Sequence, residues 1–386
     1  MKTFLTASIA AAICTLAVAP SSQAQGNIKP AKPLRNDYIS LKLEMERAIT
    51  RGNQFLKSQR NADGYWSDGD MPAMTALAMT SILRDPALDG KSEINELDRK
   101  SLDWIVAQQK EDGGIYNKGL GNYNTATSIV ALVAAQDKAY HPAILKARAY
   151  VIGAQDETDD EYNGGVGYGG TYNHSDLSNT YLAIEALKVS EQIAKDSEAA
   201  GNDQPDLNWD AAIQFISRCQ NNKETNDMPN AGNDGGMIYF PGNTKSDEEK
   251  NADGTVSLRS YGSISYAGLL SLLYADLDKS DVRVKAVLNW AGNNFTVEEN
   301  PGLGPQGLYY YYHAMSKALS AAGIENLPLK GGKEADWRRD LAIKILTTQR
   351  EDGSWVNTNS RWWESDPQLV TSYATMTLQQ IYYAMP

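Results

Sequence analysis

The feature that most limits the folds open to this chain is a helical unit repeated six times. Its most complete copy is TTQREDGSWVNTNSRWWESDPQLVTSYATMTLQQ, residues 347–380. Gln349 closes one helix, Asp352-Gly353 supplies a tight turn, Trp355 follows two residues later, and a second helix runs from about Gln368 to Gln380. Weaker copies begin at FLKSQRNADGYW (55–66), WIVAQQKEDGGIY (104–116), YVIGAQ (150–155) and FISRCQ (215–220). A degenerate fifth copy runs from AVLNWAGNNF through GLGPQGLYYYYHAMSKALSAA. Repetition on this scale marks an architecture in which no unit buries its apolar face alone.

The two helices of each unit differ in character. First helices, such as LDRKSLDWIVAQQ, carry charges on one side and apolar residues at helical spacing on the other. Second helices, such as TATSIVALVAAQ, are apolar or small nearly all round, the pattern of an element buried on most sides. Six pairs predict about twelve helices, in an inner buried ring and an outer ring with one wet face. The sequence shows no polar end caps, so the expected fold is all-α, an α/α toroid of six helical hairpins over residues 40–386 as a single domain. Asp63-Gly64, Asp112-Gly113, Asp234-Gly235 and Asp352-Gly353 each follow a helix C-terminus, where glycine takes positive φ cheaply. Gln59, Gln109, Gln155, Gln220 and Gln349 carry amides expected to satisfy terminal backbone groups of neighbouring helices, with Trp66 and Trp355 as structural parts of the repeat.

The first 24 residues have Lys2, an apolar run and a small-x-small site ending at Ala24, which reads as a cleavable signal peptide followed by a flexible segment over 25–39. Ile13 stands where a lipoprotein signal would need a small residue before Cys14. The expected location is secreted or periplasmic, with no transmembrane anchor in the mature chain, since no later stretch approaches about 20 apolar residues. The chain carries 36 basic and 48 acidic residues, a formal charge of −12, which argues against nucleic acid as a partner. Only Cys219 lies beyond the leader, so neither a disulfide nor a Cys-rich zinc site is expected.

QRNADGYW, QKEDGGIY and QREDGSW resemble the QW motif of squalene cyclases and the related repeat of prenyltransferase β-subunits, members of the terpenoid cyclase toroids. The resemblance spans roughly residues 40–383 and implies a central cavity lined by the N-terminal ends of the second helices and the loops before them. Terpene cyclases of that family protonate their substrate with an Asp-x-Asp-Asp-Thr motif. Here the matching positions read Asp176-Leu177-Ser178-Asn179-Thr180, so the proton donor is replaced by a serine. Prenyltransferases of the family hold zinc through Asp, Cys and His, but the corresponding RSYGSISYAG (259–268) offers neither Asp nor Cys. No metal and no cofactor are expected.

Asp176 has two readings, a helix N-cap or a catalytic acid. In GLYYYYHAMS (307–316), Tyr309, Tyr312, His313 and Ser316 share one helical face, either as a pocket wall with a proton carrier or as core. RWWESDP (361–367) places Trp362, Trp363 and Asp366 before the last inner helix, to stack on a ligand or to plug the ring. Asp68 and Asp70 occupy the equivalent loop of the first repeat, so with Asp176 and Asp366 several carboxylates are candidates for acid–base work on a glycan. Tyr261 is a further candidate for the lining. Residues 221–258 form one long loop, expected to be disordered or a solvated flap. Twenty-one Tyr and 8 Trp against 5 Phe point to a ligand with hydrogen-bonding groups. The reading is an exported protein whose cavity binds an apolar or mixed ligand, or a cell-envelope protein partner, without proton-initiated cyclisation. The alternatives are a divergent terpenoid cyclase or transferase, and a glycan-acting toroid enzyme using Asp176, Asp366 and His313. The ligand is accordingly a lipid or terpenoid, or a glycan.

Overall fold

The computed structural model describes residues 36–88, 94–169, 174–250 and 256–385. The leader assigned to 1–24 and most of the segment assigned to 25–39 lie outside the described residues. From Asn36 onward the chain is already helical.

Six outer helices are α1 (Asn36–Gln59), α3 (Glu96–Ala107), α5 (His141–Ile152), α8 (Trp209–Arg218), α10 (Val282–Asn294) and α12 (Trp337–Thr348). Six inner helices are α2 (Pro72–Leu83), α4 (Gly121–Ala134), α6 (Leu177–Val189), α9 (Gly262–Tyr274), α11 (Leu308–Ala321) and α13 (Pro367–Ala384). A short α7 (Glu191–Ala199) is inserted between α6 and α8, so the described residues form thirteen helices rather than twelve. Each inner helix packs on the next, and α13 packs back on α2, which closes the ring. Every residue of α2 and α9 is buried, whereas α3 buries only Asp98, Ser101, Leu102 and Ile105. This is the α/α toroid that the alternation of helix types implies.

The repeats are joined by one recurring set of hydrogen bonds. Gln109 Nε2 donates to Gly113 O in its own turn at 2.8 Å and to Ala143 O in the next outer helix at 2.9 Å. Gln155 does the same to Gly164 O and Asn208 O, and Gln220 to Gly235 O and Arg283 O. Gln349 donates to Gly353 O and to Ala48 O of α1, both at 2.9 Å, and so ties the last repeat to the first. Gly353 has φ +89°, and a Cβ there would sit 2.6 Å from Arg51 O of α1. The turn docks backbone to backbone, and only glycine fits. Two residues after the turn glycine, a backbone N–H meets a hydroxyl in the first turns of the inner helix: Trp66 to Thr75, Ile115 to Thr125, Val166 to Thr180, Met237 to Ser265, Trp355 to Thr371. The fully buried Trp66 and Trp355 also donate their indole N–H to Leu56 O and Ile345 O of the preceding outer helix.

Gln59 does not fill the role expected of it. It is exposed, and its amide meets only the adjacent Ser58 hydroxyl. The register is counted back from the turn glycine, and four residues before Gly64 stands Arg60. The Arg60 guanidinium pairs with Asp98 in the first turn of α3 and lies 4.7 Å over the Trp66 ring. An ion pair therefore replaces the amide at the first joint. The fifth repeat lacks the amide too, and there the Tyr311 and Tyr312 hydroxyls donate to Thr296 O and Val297 O.

The long loop is folded rather than a disordered or solvated flap over its described part. Asn221 donates to Leu258 O and Ser260 Oγ and accepts from Gly232 N, while Asn226 donates to Arg218 O and Gln220 O. Strands β1 (Glu248–Lys250) and β2 (Val256–Leu258) pair antiparallel, and a second small pair joins β3 (Leu327–Pro328) to β4 (Glu334–Ala335).

Urea denaturation of single variants checks the joints. Arg60→Ala strands the buried Asp98 carboxylate and is expected to cost about 3–5 kcal/mol. Gln349→Ala leaves the Gly353 carbonyl short of a donor and breaks the tie to α1, and is expected to cost about 1–3 kcal/mol. Gln59→Ala should stay within about 0.5 kcal/mol. A Gln59 variant as damaging as the Arg60 variant would refute this assignment of the register.

Candidate functional site

The N-terminal ends of the inner helices gather on one face of the ring, because groups at those ends bond to one another. Asn124 of α4 accepts from Ala73 N of α2, and Asn122 of α4 donates to Asn179 of α6. Asn300 accepts from Ser263 N of α9, and Tyr310 of α11 reaches across to Ser178 of α6, hydroxyl to hydroxyl at 3.3 Å. Six helix N-termini on one face present partial positive charge and unsatisfied N–H groups, which acceptors and carboxylates stabilise.

Asp176 is one of those stabilisers. It is the N-cap of α6, fully buried, accepting from Asn179 N at 2.9 Å and Asn179 Nδ2 at 2.8 Å, with the Tyr239 side chain also bonded to it. Burial pushes its carboxyl up to about 6 against the lowering effect of those bonds. Of its two readings, the cap is the one the geometry fills. The position of the family's proton donor holds Ser178, whose hydroxyl meets that of Tyr310. Asp366 caps α13 through Gln368 N at 2.8 Å and accepts from the Ser67 hydroxyl. Asp68 closes its own exposed turn on Asp70 N, and Asp70 pairs with Lys118.

The expected convergence of carboxylates is only partial. The Ser67–Asp366 bond brings the 67–70 loop beside Asp366, but α6 and α13 stand opposite each other in the ring of six. With neighbouring helix axes about 8–10 Å apart, opposite positions lie roughly 16–20 Å apart. Paired glycosidase carboxylates need about 5–9.5 Å. Asp176 and Asp366 are therefore not an acid–base pair.

The axis of the ring is filled. Tyr310, Tyr373, Tyr123 and Tyr181 converge with His313, with the Tyr123 and Tyr373 hydroxyls 3.4 Å apart and the Tyr310 and Tyr373 rings 5.9 Å apart. Below them the Lys317 ammonium pairs with Glu185 and bonds the Tyr181 hydroxyl at 3.0 Å. Burial pulls the Lys317 pKa far down and that of His313 to about 3. The void left among these groups is about 40 Å³, room for water and not for a terpenoid, since pockets for such ligands measure about 300–1,000 Å³. The cavity expected to hold a ligand is closed by tyrosine.

The expected pocket wall is also rotated. Tyr310, His313 and Lys317 face the axis, whereas Tyr309 and Tyr312 are core residues turned outward, toward Thr348 and the 296–297 loop. Tyr261 is buried at the start of α9.

Trp362 and Trp363 do not plug the ring. They are 40% and 56% exposed, and both have positive φ, 55° and 60°. Two consecutive bulky residues in this region store about 1–3 kcal/mol each. Arg361 covers one face of Trp362, its guanidinium 4.8 Å from the ring centre, while the ring packs on Gly307. Residue Glu364, not singled out from the sequence, explains how the strained turn is held. Its carboxylate is buried, accepts from Tyr310 N at 2.9 Å and Asn357 Nδ2 at 2.7 Å, and also caps Leu308 N and Tyr309 N. It serves as the missing cap of α11, whose own N-cap position is Gly307. The only sequence signal is an acid directly after two tryptophans in a turn.

Among the described residues, no group of three His, Cys, Asp or Glu side chains is placed to hold a metal, and no helix is long and apolar enough to cross a membrane. Cys219 is a buried free thiol.

No family model and no curated protein matches the chain. Solved structures do. The GH76A α-1,6-mannanase of Salegentibacter sp. HEL1_6 superposes with TM-score 0.57 at 10% identity, covering 89% of this chain and 100% of that one. Its inactive variant in complex with α-1,6-mannotriose gives 0.55. The type II terpene cyclase MstE from Scytonema, in complex with geranylgeranyl dihydroxybenzoate, gives 0.54 at 11% identity, covering 90% and 99%. At these identities the likeness shows the α/α toroid fold alone.

The buried cap has a titration signature. Because the folded-state value of Asp176 lies above the ordinary 3.8, folding favours its protonated form. That contribution is complete below about 3.8 and is lost as pH rises through about 6. Between pH 4 and pH 7 the unfolding free energy of the wild type should fall by about 3 kcal/mol relative to Asp176→Asn, measured by denaturant titration at each pH. Parallel pH profiles for the two proteins would contradict a buried, proton-binding Asp176.

Proposed function

We propose that the chain is an exported, non-catalytic glycan-binding protein, directed to the periplasm or beyond by the leader read at residues 1–24. Its ligand docks on the face where the inner helices begin, against Trp362 and Trp363. The observation that carries this reading is the pair of adjacent, exposed tryptophans held at positive φ. Strain of this kind persists only where surrounding structure enforces it, and Glu364 and Asn357 do so here. An exposed indole stacks on the apolar face of a sugar ring, while the groups beside it, Arg361, Asp366, Asp68 and Lys118, serve hydroxyls.

The absence of chemistry follows from the same geometry. Asp176 and Asp366 are committed to helix ends on opposite sides of the ring, and Ser178 stands in place of an acid. His313 stays neutral on the closed axis, and the carboxylate that lines the same void, Glu185, is paired with Lys317. A lipid sequestered in the ring is not supported, because the void there is close to the size of a water molecule. Among toroids of this shape, the mannanase complex provides a precedent for an oligosaccharide ligand, and it is a precedent of fold only.

Binding of the purified protein to an array of neutral and acidic oligosaccharides checks the proposal. Trp363→Ala should weaken the best-bound glycan at least tenfold, about 1.4 kcal/mol, with an unchanged melting temperature. Asp176→Asn should bind like wild type, and no reducing ends should be released from the bound glycan. Equal binding by wild type and Trp363→Ala, or turnover abolished by Asp176→Asn, would defeat it.

A further inference from the structure

A second concavity lies on the flank of the ring, away from the axis. It measures about 760 Å³, within the range of ligand sites. One wall is the β1–β2 hairpin with Glu248 and the adjoining Arg259. The other is the C-terminal end of α10, with Asn293 and Asn294, together with Lys330 from the loop after β3. Asn233 lies in the floor, and Pro301-Gly302 forms one edge. The long loop builds this cleft and is pinned across it, since Ser246 Oγ donates to Gly302 O at 2.8 Å and Thr244 Oγ1 to Arg259 O at 2.8 Å.

The lining identifies the class of ligand. Asn233 uses its side-chain oxygen on Lys223 N, and Asn294 uses its amide nitrogen on Trp290 O. The first is thereby left with N–H donors and the second with a carbonyl acceptor. Asp234, also in the lining, accepts from Gly236 N and Ser260 Oγ. The charges balance: Asp234 and Glu248 against Arg259 and Lys330. A balanced lining does not draw a polyanion, and one this polar does not suit an acyl chain. Planar amide, carboxylate and guanidinium groups offering both donors and acceptors match the paired hydroxyls of a neutral sugar.

We infer that this cleft is a second carbohydrate subsite, occupied by the same neutral oligosaccharide that docks on Trp362 and Trp363. The inference rests on the glycan-binding reading. The two places share one loop: Gly302 edges the cleft, and Gly307 supports the Trp362 ring. Five residues of chain span at most about 18 Å. A chain of several sugars reaches both, whereas a single sugar reaches one. The ligand is thus an extended polysaccharide segment rather than a free monosaccharide.

Isothermal titration of the full-length protein with linear malto-, cello- and manno-oligosaccharides, from disaccharide to hexasaccharide, tests this. In wild type, affinity for the preferred series should rise with chain length. Asn293→Ala combined with Arg259→Ala should remove that rise, weakening the hexasaccharide about tenfold while leaving the disaccharide unchanged. Both side chains are exposed, so the melting temperature should hold. Trp363→Ala should weaken every length. A double variant that binds the hexasaccharide like wild type overturns the cleft subsite and leaves the tryptophan site standing. No binding of any series by wild type overturns the glycan reading itself, and the cleft assignment with it. Retention of a peptide library that is lost in the double variant would reassign the cleft to an extended peptide and overturn the proposal.

Discussion

A ring of helical hairpins has one joint per repeat, and its last joint must bring together residues nearly the whole chain apart. Here that joint is the Gln349 carboxamide, bonded to its own turn at Gly353 and to Ala48 of the first helix. The Gly353 carbonyl is left over by the turn, and burying it unpaired is costly, while Ala48 O, already in the α1 ladder, takes the second N–H on its free lone pair. A side-chain amide with two N–H donors serves both at once. Three further joints use the same device and one uses the Arg60–Asp98 ion pair, while in the fifth repeat tyrosine hydroxyls tie the inner helix to the loop after its own outer helix. The amide joints silence backbone oxygens between neighbouring repeats, whereas the first joint pairs two charged side chains across the same gap.

The same geometry explains why the acids of this protein are not free. Closing the ring points six inner helices the same way and collects their N-terminal N–H groups on one face. That face needs acceptors, and it draws on Asp176, Asp366, Glu364, Asn124 and Asn300 to supply them. A carboxylate used as a cap is held in place by the donors it accepts from, and Asp176 and Glu364 are buried besides. In a toroid that protonates a substrate, an acid must instead face the axis. This chain faces the axis with Ser178 and tyrosine hydroxyls, and the one carboxylate lining the void there, Glu185, is paired with Lys317.

The fold was legible because its signals are local. Positive-φ glycines, the amide at the end of the helix before them and the contrast between wet and dry helices can each be read within one repeat. The register slip at Gln59 shows the limit: Gln59 and Arg60 are adjacent, and only the packing of Gly64 against α3 decides which of them turns inward. The site was legible in part. Asp176 and Asp366 were found as helix starts, but their separation depends on the order of helices around the ring. Tyr309 and Tyr310 are likewise neighbours in sequence, and one turns outward while the other closes the axis. Glu364 caps a helix 54 positions away in the chain, a pairing that no local pattern encodes.

A centre filled by side chains shifts the functional question to the surface. The axis contains a buried Lys317–Glu185 pair and an imidazole, groups that in an open cavity would suggest catalysis. Here the groups are buried among tyrosines around a void of about 40 Å³, and the Lys317–Glu185 pair ties α11 to α6. The rim behaves differently. Trp362 and Trp363 leave 40% and 56% of their surface in water, and their backbone is held at positive φ, a conformation that opposes the fold. Glu364 supplies the force that maintains this, since its carboxylate caps α11 and its own backbone continues the tryptophan turn. The cap and the strained turn are thus one unit. The cost of holding two tryptophans in that turn is offset by closing a helix that otherwise has no cap, and it is this support on which the proposed docking surface rests.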